Sequence, residues 1–345
     1  MLSDEQLEEI KKELEESENP LVLFDDDSDG LASYILLKKC FDKINGVVIK
    51  SRPILDIGFL RKVEEYSPDK VFILDKPLVS QEFIDKVNVP IIWIDHHPPD
   101  KREGVRYYNP RLDNFEDNRC VSYWCYKVSR LCGRDDLWVA MVGVVGDWSL
   151  TELADEFCER YPELLKKPET AEEALFESKF GELVRIFNFI LKGKTSDVNK
   201  AIRVLIKVKE PLDILEQRTM EGKFIFKIAE RVKKEYDKLL EKALKMKAKD
   251  KLFVFNYPSG KMSFTGELSN ELLHRFPDNV ILVAREKDGD MRLSLRSKRI
   301  KILPILEKVL KKVNGYGGGH EFAVGGNIKK EDYGKFVELL IEEIK

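Results

Sequence analysis

No hydrophobic run in the 345-residue chain reaches transmembrane length, so the sequence predicts a protein that does not span a membrane. Residues 1–16 are acidic and amphipathic, a pattern that differs from a secretory signal peptide. None of the five cysteines forms a Cys-x-x-Cys pair, which favours free thiols in a reducing compartment. Together these absences predict a cytoplasmic protein.

A strong charge of one sign is missing as well. Lys and Arg number 59 and Asp and Glu number 62, which gives a net charge of −3 at pH 7. Such a chain has no overall attraction for nucleic acid, because its mean field is close to neutral. Any nucleic-acid binding must therefore rely on a local basic groove.

Against this even background, the segment Asp25-Asp26-Asp27-Ser28-Asp29-Gly30 concentrates carboxylates directly after the apolar run Leu21–Phe24. The run predicts a buried strand, so the carboxylates should lie on the loop at its carboxyl end, where open α/β sheets bind ligands. Like charges this close repel each other, and a divalent cation would relieve the repulsion. Taken alone, the segment is equally compatible with a solvated acidic turn.

Three further apolar runs are each followed by Asp or His, at Asp75, at Asp95-His96-His97 and at Asp147. The intervals between the first three runs of the chain suit βαβ units, which build parallel sheets. In a parallel sheet the carboxyl ends of the strands lie on one edge, so these groups should converge although they are far apart in sequence. The sequence therefore predicts a metal site here, in preference to packed or surface histidines.

Clustered carboxylates of this kind can hold two divalent ions that clamp a phosphodiester and activate water. The expected metal ligands are Asp25, Asp27, Asp29, Asp75, His96 and Asp147. Mixed imidazole and carboxylate ligands suit Mn²⁺ better than Mg²⁺, which stays the alternative ion. Asp95 is expected to orient the histidines, and His97 to face the scissile phosphate or the attacking water. For Asp25, a role in orienting other ligands stays open.

A glycine-rich segment near the carboxyl terminus, Gly317–Gly326, contains His320 and is expected to be a loop. Its glycines would let backbone N–H groups approach an anion closely. Upstream, Arg296 lies on a predicted strand and suits bidentate phosphate recognition, with a surface ion pair as the alternative. The expected substrate-binding residues are Ser294, Arg296, Gly318, Gly319 and His320.

The motifs, taken in order from 25 to 326, resemble those of the DHH phosphoesterase family. The family carries an Asp-rich first motif, an isolated Asp, Asp-His-His, a fourth Asp and a glycine-rich signature with a His. Some members have Tyr or His at the position of Asp26, which leaves the role of Asp26 open. The resemblance implies two Mn²⁺ ions and a C-terminal DHHA1-type domain that grips the end of the substrate.

Overall resemblance is greatest to archaeal single-strand exonucleases of the Hef-associated nuclease type. It implies an exonuclease that works from the 3′ end of single-stranded DNA or RNA, in DNA repair or replication, with a repair helicase as partner. The alternatives are an oligoribonuclease or small-nucleotide phosphodiesterase, and a non-catalytic replication scaffold. Retention of every expected ligand argues against the scaffold.

The expected fold class is α/β with three parts. Residues 1–165 should form the parallel-sheet DHH domain, 166–250 a helical connector or insertion, and 251–345 a smaller α/β domain of DHHA1 type. The helical part is either a plain connector or a subdomain that supports self-association, which would make the protein a homo-oligomer. Tyr107 and Tyr108 follow the Asp-His-His motif, and core packing is favoured for them over base stacking.

Overall fold

Two units make up the part of the chain that the structure, a computed structural model, describes, which comprises residues 1–50, 54–260 and 262–344. The units are Met1–Ala229 and Glu230–Lys345. The three-part division expected at residues 165 and 250 stays a prediction.

The first unit begins with a central sheet and its covering helices. The strands are β1 (Pro20–Asp25), β2 (Asn45–Ile49), β3 (Ile54–Leu55), β4 (Lys70–Leu74), β5 (Leu78–Val79), β6 (Ile91–Ile94) and β7 (Arg106–Tyr108). The helices among and after them are α1 (Asp4–Glu16), α2 (Ser28–Cys40), α3 (Leu60–Tyr66), α4 (Gln81–Lys86), α5 (Val121–Leu131) and α6 (Leu137–Gly146).

All pairs in the main sheet are parallel, in the order β2-β1-β4-β6-β7, while β3 and β5 form a separate pair. Successive residues of a strand face opposite sides of the sheet, and here both sides are covered. Leu21 and Leu23 of β1 pack with Phe83 of α4 on one side, while Phe24 stacks on Tyr34 of α2 on the other. The expected α/β fold with a parallel sheet is confirmed, and the strand ends lie on one edge.

Asp147 does not follow a strand, and the expectation that its apolar run ends at the sheet edge is wrong. Residues 142–146 belong to α6, whose residues from Leu137 to Val145 are all buried. An apolar run by itself cannot distinguish a buried strand from a buried helix. Gly146 permits the close packing of α6, because a Cβ there would lie 1.9 Å from the Ser28 hydroxyl oxygen. Asp147 therefore reaches the site at the carboxyl end of α6, which packs against α2.

A helical region follows the sheet. Its helices are α7 (Leu153–Arg160), α8 (Ala171–Phe176), α9 (Phe180–Ile190), α10 (Thr195–Leu205), α11 (Pro211–Leu215) and α12 (Met220–Leu244). The predicted helical character of this region is thus confirmed. None of the described helices combines enough length with enough apolar character to pass through a lipid bilayer.

The second unit contains a mixed sheet in the order β11-β12-β10-β9-β8. Its elements after α12 are β8 (Leu252–Tyr257), α13 (Thr265–Arg275), β9 (Val280–Lys287), β10 (Asp290–Arg296), α14 (Ile302–Leu310), β11 (Gly315–His320), β12 (Ala323–Lys329) and α15 (Tyr333–Ile344). One side of the sheet packs on α14 and α15, through residues such as Leu306 and Phe336. On the other side, α13 packs against β9 and β10.

The glycine-rich segment is a strand hairpin, so the prediction of a loop is wrong. Residues 315–320 form β11 at the edge of the sheet and pair antiparallel with 323–328. Glycine has little strand preference of its own, but pairing with β12 overrides that local tendency. The backbone of this segment is therefore held in an extended form at an exposed edge.

Candidate metal centre and substrate face

Asp75 lies at the centre of the acidic edge, one residue after β4. Its φ of +58° places it in the left-handed region, which Asp tolerates better than most residues. Its N–H donates to the carbonyl oxygen of Ile94 at 3.0 Å, so the strand β6 fixes this unusual backbone. Because the conformation is fixed, the buried carboxylate points in one direction.

His96 faces Asp75 and Asp147 with an unpartnered nitrogen. Its Nδ1 lies 3.2 Å from the carbonyl oxygen of Asn118, which favours the tautomer with the proton on Nδ1 and a free lone pair on Nε2. Nε2 is 3.5 Å from Asp75 Oδ1 and 3.6 Å from Asp147 Oδ2. It is buried and has no hydrogen-bond partner among the described residues.

This arrangement fits a divalent ion. Ligand atoms about 2.1 Å from a shared ion lie about 3 to 3.5 Å apart, close to the separations found around His96 Nε2. Among the described residues, Asp75, His96 and His97 offer ligand atoms within 4.8 Å of one another. An imidazole nitrogen without a hydrogen-bond partner beside two carboxylates is a donor set that suits a divalent metal ion.

His97 is held by Asp95, which is fully buried. The Nδ1 atom of His97 lies 2.8 Å from Asp95 Oδ1, and its backbone N–H donates to Asp95 Oδ2. Tyr107 and Asn109 also donate to Oδ2, each at 3.3 Å. Asp95 thus orients His97, whereas the carbonyl of Asn118 orients His96.

The acidic loop after β1 gives each carboxylate a different environment. Asp27 caps α2, where its Oδ1 accepts the N–H of Gly30 at 2.9 Å. Asp29 is buried, and its oxygens accept the N–H groups of Val121 and Ser122 at the start of α5, at 2.9 and 2.8 Å. These bonds satisfy N–H groups at the start of α5 that have no partner within the helix. Asp29 is therefore tied to α5 in addition to its predicted role as a ligand.

Asp25 is paired with a lysine that sequence reasoning missed. Lys76 follows Asp75 directly, is fully buried, and places Nζ 2.9 Å from Asp25 Oδ1. Its carbonyl oxygen also accepts the indole N–H of Trp93 at 3.0 Å. A buried ammonium group needs an anionic partner, and Asp25 provides one. The signal in the sequence was the position of Lys76 directly after a predicted buried strand.

The carboxylates carry strongly perturbed proton affinities. Burial raises the pKa of Asp25 to about 7, with a contribution from Asp27 that Lys76 opposes. Burial likewise raises the pKa of Asp147 to about 7, while His96 opposes the increase. Burial and the charges of neighbouring carboxylates raise the pKa of Asp75 well above its usual range. The centre therefore needs either protons or metal ions to be stable.

The pKa of His97 is shifted by the same surroundings. Burial would lower its pKa, but the hydrogen bond to Asp95 and the charges of Asp95 and Asp147 outweigh burial, so the pKa is raised. This favours a protonated imidazole that can donate to an anionic group.

In the second unit, the predicted substrate residues lie in two adjacent rows that run across β10, β12 and β11. In one row Ser294 is opposite Gly325, which is opposite Gly318, and in the next Arg296 is opposite Ala323, which is opposite His320. Directly paired residues face the same side of a sheet. Ser294 is buried and its hydroxyl lies 2.9 Å from that of Ser269. Gly319 lies between these two rows, and its φ of +143° is one that only glycine adopts readily. The structure thus brings Arg296, Gly318 and His320 together on one face.

Arg296 has neutral hydrogen-bond acceptors. Its Nε donates to Asn270 Oδ1 at 3.0 Å, and its Nη1 donates to the carbonyl oxygens of Leu295 and Val324 at 2.9 and 3.2 Å. Burial lowers the pKa of Arg296 to about 10. A desolvated guanidinium held by neutral groups keeps its charge available for an external anion.

Replacing Lys76 by methionine should destabilise the metal-free protein, because it leaves Asp25 as a buried carboxylate without its ammonium partner. The expected loss is about 3 kcal/mol in the free energy of unfolding at pH 8. At pH 5 the loss should be smaller, since Asp25 is then protonated. Denaturant unfolding in the presence of a chelator measures both values. Lys86→Met, which removes an exposed helical ion pair with Glu82, is the control and should change little.

The metal-free protein should become less stable as the pH rises from 5 to 8. The folded pKa values of Asp25 and Asp147, about 7, exceed the ordinary Asp value of 3.8, so the folded state binds more protons than the unfolded state in this range. Stability then falls with pH, and the raised pKa of His97 acts in the same direction above 6.5. Melting temperatures in a chelator test this.

Asp147→Asn should reduce the slope of that decline by up to about 1 kcal/mol per pH unit. Saturating Mn²⁺ should reverse the slope, because ligands must be deprotonated to bind. A metal-free melting temperature that is constant or increases from pH 5 to 8 would contradict the assigned proton affinities.

The chain resembles known proteins over most of its length. Residues 250–345 match the DHHA1 domain family. An uncharacterized protein of Methanocaldococcus jannaschii is 23% identical, over 92% of this chain and 91% of its own length.

Two of the solved structures that share the fold are RecJ proteins. RecJ from Thermus thermophilus in complex with Mn²⁺ superimposes on 97% of this chain with a TM-score of 0.71 and 16% identity. This chain covers only 54% of that RecJ chain, about half its length. An exonuclease RecJ bound to manganese matches 97% of this chain and 93% of its own length, with a TM-score of 0.66 and 17% identity. Residues 250–345 are thus a DHHA1 domain, and the chain has the fold of the RecJ-like DHH phosphoesterases.

Proposed function

We propose that the chain is a manganese-dependent phosphodiesterase that acts as an exonuclease on single-stranded nucleic acid. The observation that carries the proposal is the buried Nε2 of His96, which has no hydrogen-bond partner among the described residues and faces the oxygens of Asp75 and Asp147. Such an atom is costly to bury without a partner, and a divalent ion is the partner that this donor set favours. The RecJ-like fold supports the same chemistry.

The residues that would hold the ions are Asp25, Asp27, Asp29, Asp75, His96 and Asp147. When bound, the ions supply Lewis-acid stabilisation of the charge on the phosphate. Asp75 is suited to a shared ligand because its fixed backbone aims it at His96, and the charges of four other carboxylates act on it. Lys76 holds the Asp25 carboxylate in place through its ammonium group.

His97 is the proposed acid. Asp95 fixes the Nδ1 side of the ring, which leaves Nε2 to carry a proton toward an oxygen of the scissile phosphate or of the leaving group. The raised pKa of His97 keeps that proton in place near neutral pH. Asp95 is a positioning residue, since Tyr107, Asn109 and His97 occupy its oxygens.

The second unit is proposed to bind the phosphate backbone. Arg296 supplies a guanidinium whose charge is not neutralised by its amide and carbonyl acceptors, and His320 lies on the same face. Phosphate contacts carry no sequence information, so binding should tolerate any sequence and weaken with salt. Attack from the 3′ end, a role in DNA repair or replication and a helicase partner are proposed from the resemblance to archaeal exonucleases of the Hef-associated nuclease type. Self-association is proposed through the helical region.

Asp75→Ala should abolish hydrolysis and Mn²⁺ binding while the fold stays intact. The variant removes the central ligand. Relief of carboxylate repulsion and the strain of Ala at a φ of +58° oppose each other, so its metal-free melting temperature should stay within a few degrees of the wild type. Isothermal titration with Mn²⁺, hydrolysis assays and thermal melting test the three effects. Asp113→Ala, at an exposed position, is the matched control and should retain all three properties. Turnover like that of the wild type in Asp75→Ala would rule out this metal centre.

Single strands and 3′ overhangs should be degraded, and blunt duplexes should resist degradation. The reason is that pairing must be broken at about 1 to 2 kcal/mol per step before a strand end can enter. Oligonucleotides labelled at either end, digested with Mn²⁺ or with Mg²⁺, reveal the polarity, the preferred ion and the product size. Activity confined to dinucleotides would favour the small-nucleotide phosphodiesterase, and equal rates on blunt duplex would contradict the single-strand preference.

A further inference from the structure

An exposed aromatic residue borders the substrate face. Tyr316 of β11 is 71% exposed and lies directly opposite Asn327 of β12, which in turn lies opposite Arg292 of β10. Along the sheet, the row of Tyr316 is followed by the row of Gly318 and then by the row of His320. Since residues two apart on a strand face the same side, Tyr316 shares the face of His320 and Arg296.

The two glycines beside this row are not explained by internal packing. Gly318 and Gly325 are paired. A Cβ at Gly318 would meet no atom of the described residues within 4 Å, and the nearest to one at Gly325 would be 3.8 Å away. Glycine inside a strand weakens it and often marks close approach of a ligand. The bare strip over these glycines therefore has room for an external group next to the Tyr316 ring.

A shallow cavity of about 220 Å³ adjoins the same ring, lined by Asp290, Asn314, Gly315, Tyr316, Asn327 and Lys329. A cavity of about 150 Å³ is enough to hold a benzene-sized ring. The cavity thus has the volume for one planar heterocycle. A ring placed there could stack on the exposed face of the tyrosine.

The polar groups of the cavity are paired with one another, which favours a neutral ligand over a charged one. Asn327 Nδ2 donates to Asp290 Oδ2 at 3.0 Å, which fixes the orientation of the amide. Its Oδ1 is then left buried and without a hydrogen-bond partner in the described part of the chain. Asp290 is also paired with Lys329, at 2.7 Å. The carboxylate of Asp290 disfavours a phosphate here, whereas a neutral nucleobase can stack on the tyrosine ring without this repulsion.

We propose that this cavity binds a nucleobase of the substrate, stacked on the exposed ring of Tyr316. The inference rests on the proposed function and extends it. Tyr316 and His320 are four residues apart on an extended strand, about 13 Å, so the stacked base belongs to a different nucleotide from the phosphate beside His320. The substrate is then a strand of more than one nucleotide, whose backbone passes over the glycine strip.

Equilibrium binding of a fluorescent single-stranded oligonucleotide with a hydrolysis-resistant phosphorothioate backbone, in the presence of Mn²⁺, tests the site. Tyr316→Ala should weaken binding by about 10-fold, which is within the range for loss of one base–aromatic stack. Tyr316→Phe keeps the ring and should bind like the wild type. Tyr66→Ala, which removes another exposed tyrosine in the first unit, is the control and should not change the affinity. Thermal melting verifies that the variants fold.

An abasic scan makes the assignment specific. One abasic position in the oligonucleotide should weaken binding to the wild type by about 10-fold, and the same position should have no further effect in Tyr316→Ala. Additive effects, or unchanged affinity of Tyr316→Ala, would overturn the stacking site while wild-type cleavage of single strands still supports the proposed function. A wild type that neither binds nor cleaves nucleic acid would overturn both.

Discussion

Mutual repulsion among buried carboxylates is the constraint on which the first unit depends. Asp25, Asp29, Asp75 and Asp147 lie close enough for their charges to act on one another, and none is fully solvated. Fixed positive groups around the centre moderate this repulsion. The N–H groups at the start of α2 and α5 bind Asp27 and Asp29, and Lys76 binds Asp25. The remaining pair, Asp75 and Asp147, faces the imidazole of His96 instead.

This division of partners would hold the carboxylates of the proposed metal site in position before a metal ion binds. Helix N-termini and a buried ammonium hold the flanking carboxylates in place, so the electrostatic conflict is concentrated on the central ones. This repulsion is an unfavourable contribution to the free energy of folding, and a divalent ion bound as proposed would remove it. Fully covered parallel strands and closely packed helices supply the stability that tolerates it. The close approach of α6 to α2 at Gly146 belongs to the same arrangement, because it sets the position of Asp147.

The sequence alone predicted the parts of the site that follow from strand ends. Asp75 and the Asp-His-His motif follow buried strands, and parallel topology brings such ends to one edge. It could not predict that the run before Asp147 is a helix, since a fully buried helix and a buried strand have the same apolar composition. Nor could it predict that Asp29 binds the start of α5, a contact between residues about ninety positions apart. Lys76 follows Asp75 directly in the sequence, but no motif marked it as part of the site.

In the second unit the prediction from sequence was wrong for another reason, because the local glycine content suggested a loop where the chain forms a strand. The glycines from 317 to 319 look like a loop, yet pairing with β12 makes them a flat strand. Gly319 needs glycine for its backbone, whereas Gly318 does not, so the two neighbours are glycine for different reasons. Pairing of β11 with β12 places His320 in the same cross-strand row as Arg296 of β10, which a loop would do less well. The two units thus offer different chemistry to a polyanion: the first needs cations to accept it, while the second presents a buried guanidinium and an aromatic ring. Under the proposed function, hydrolysis of long strands would require both, because the ions would act on a single phosphate while the sheet of the second unit would hold neighbouring nucleotides.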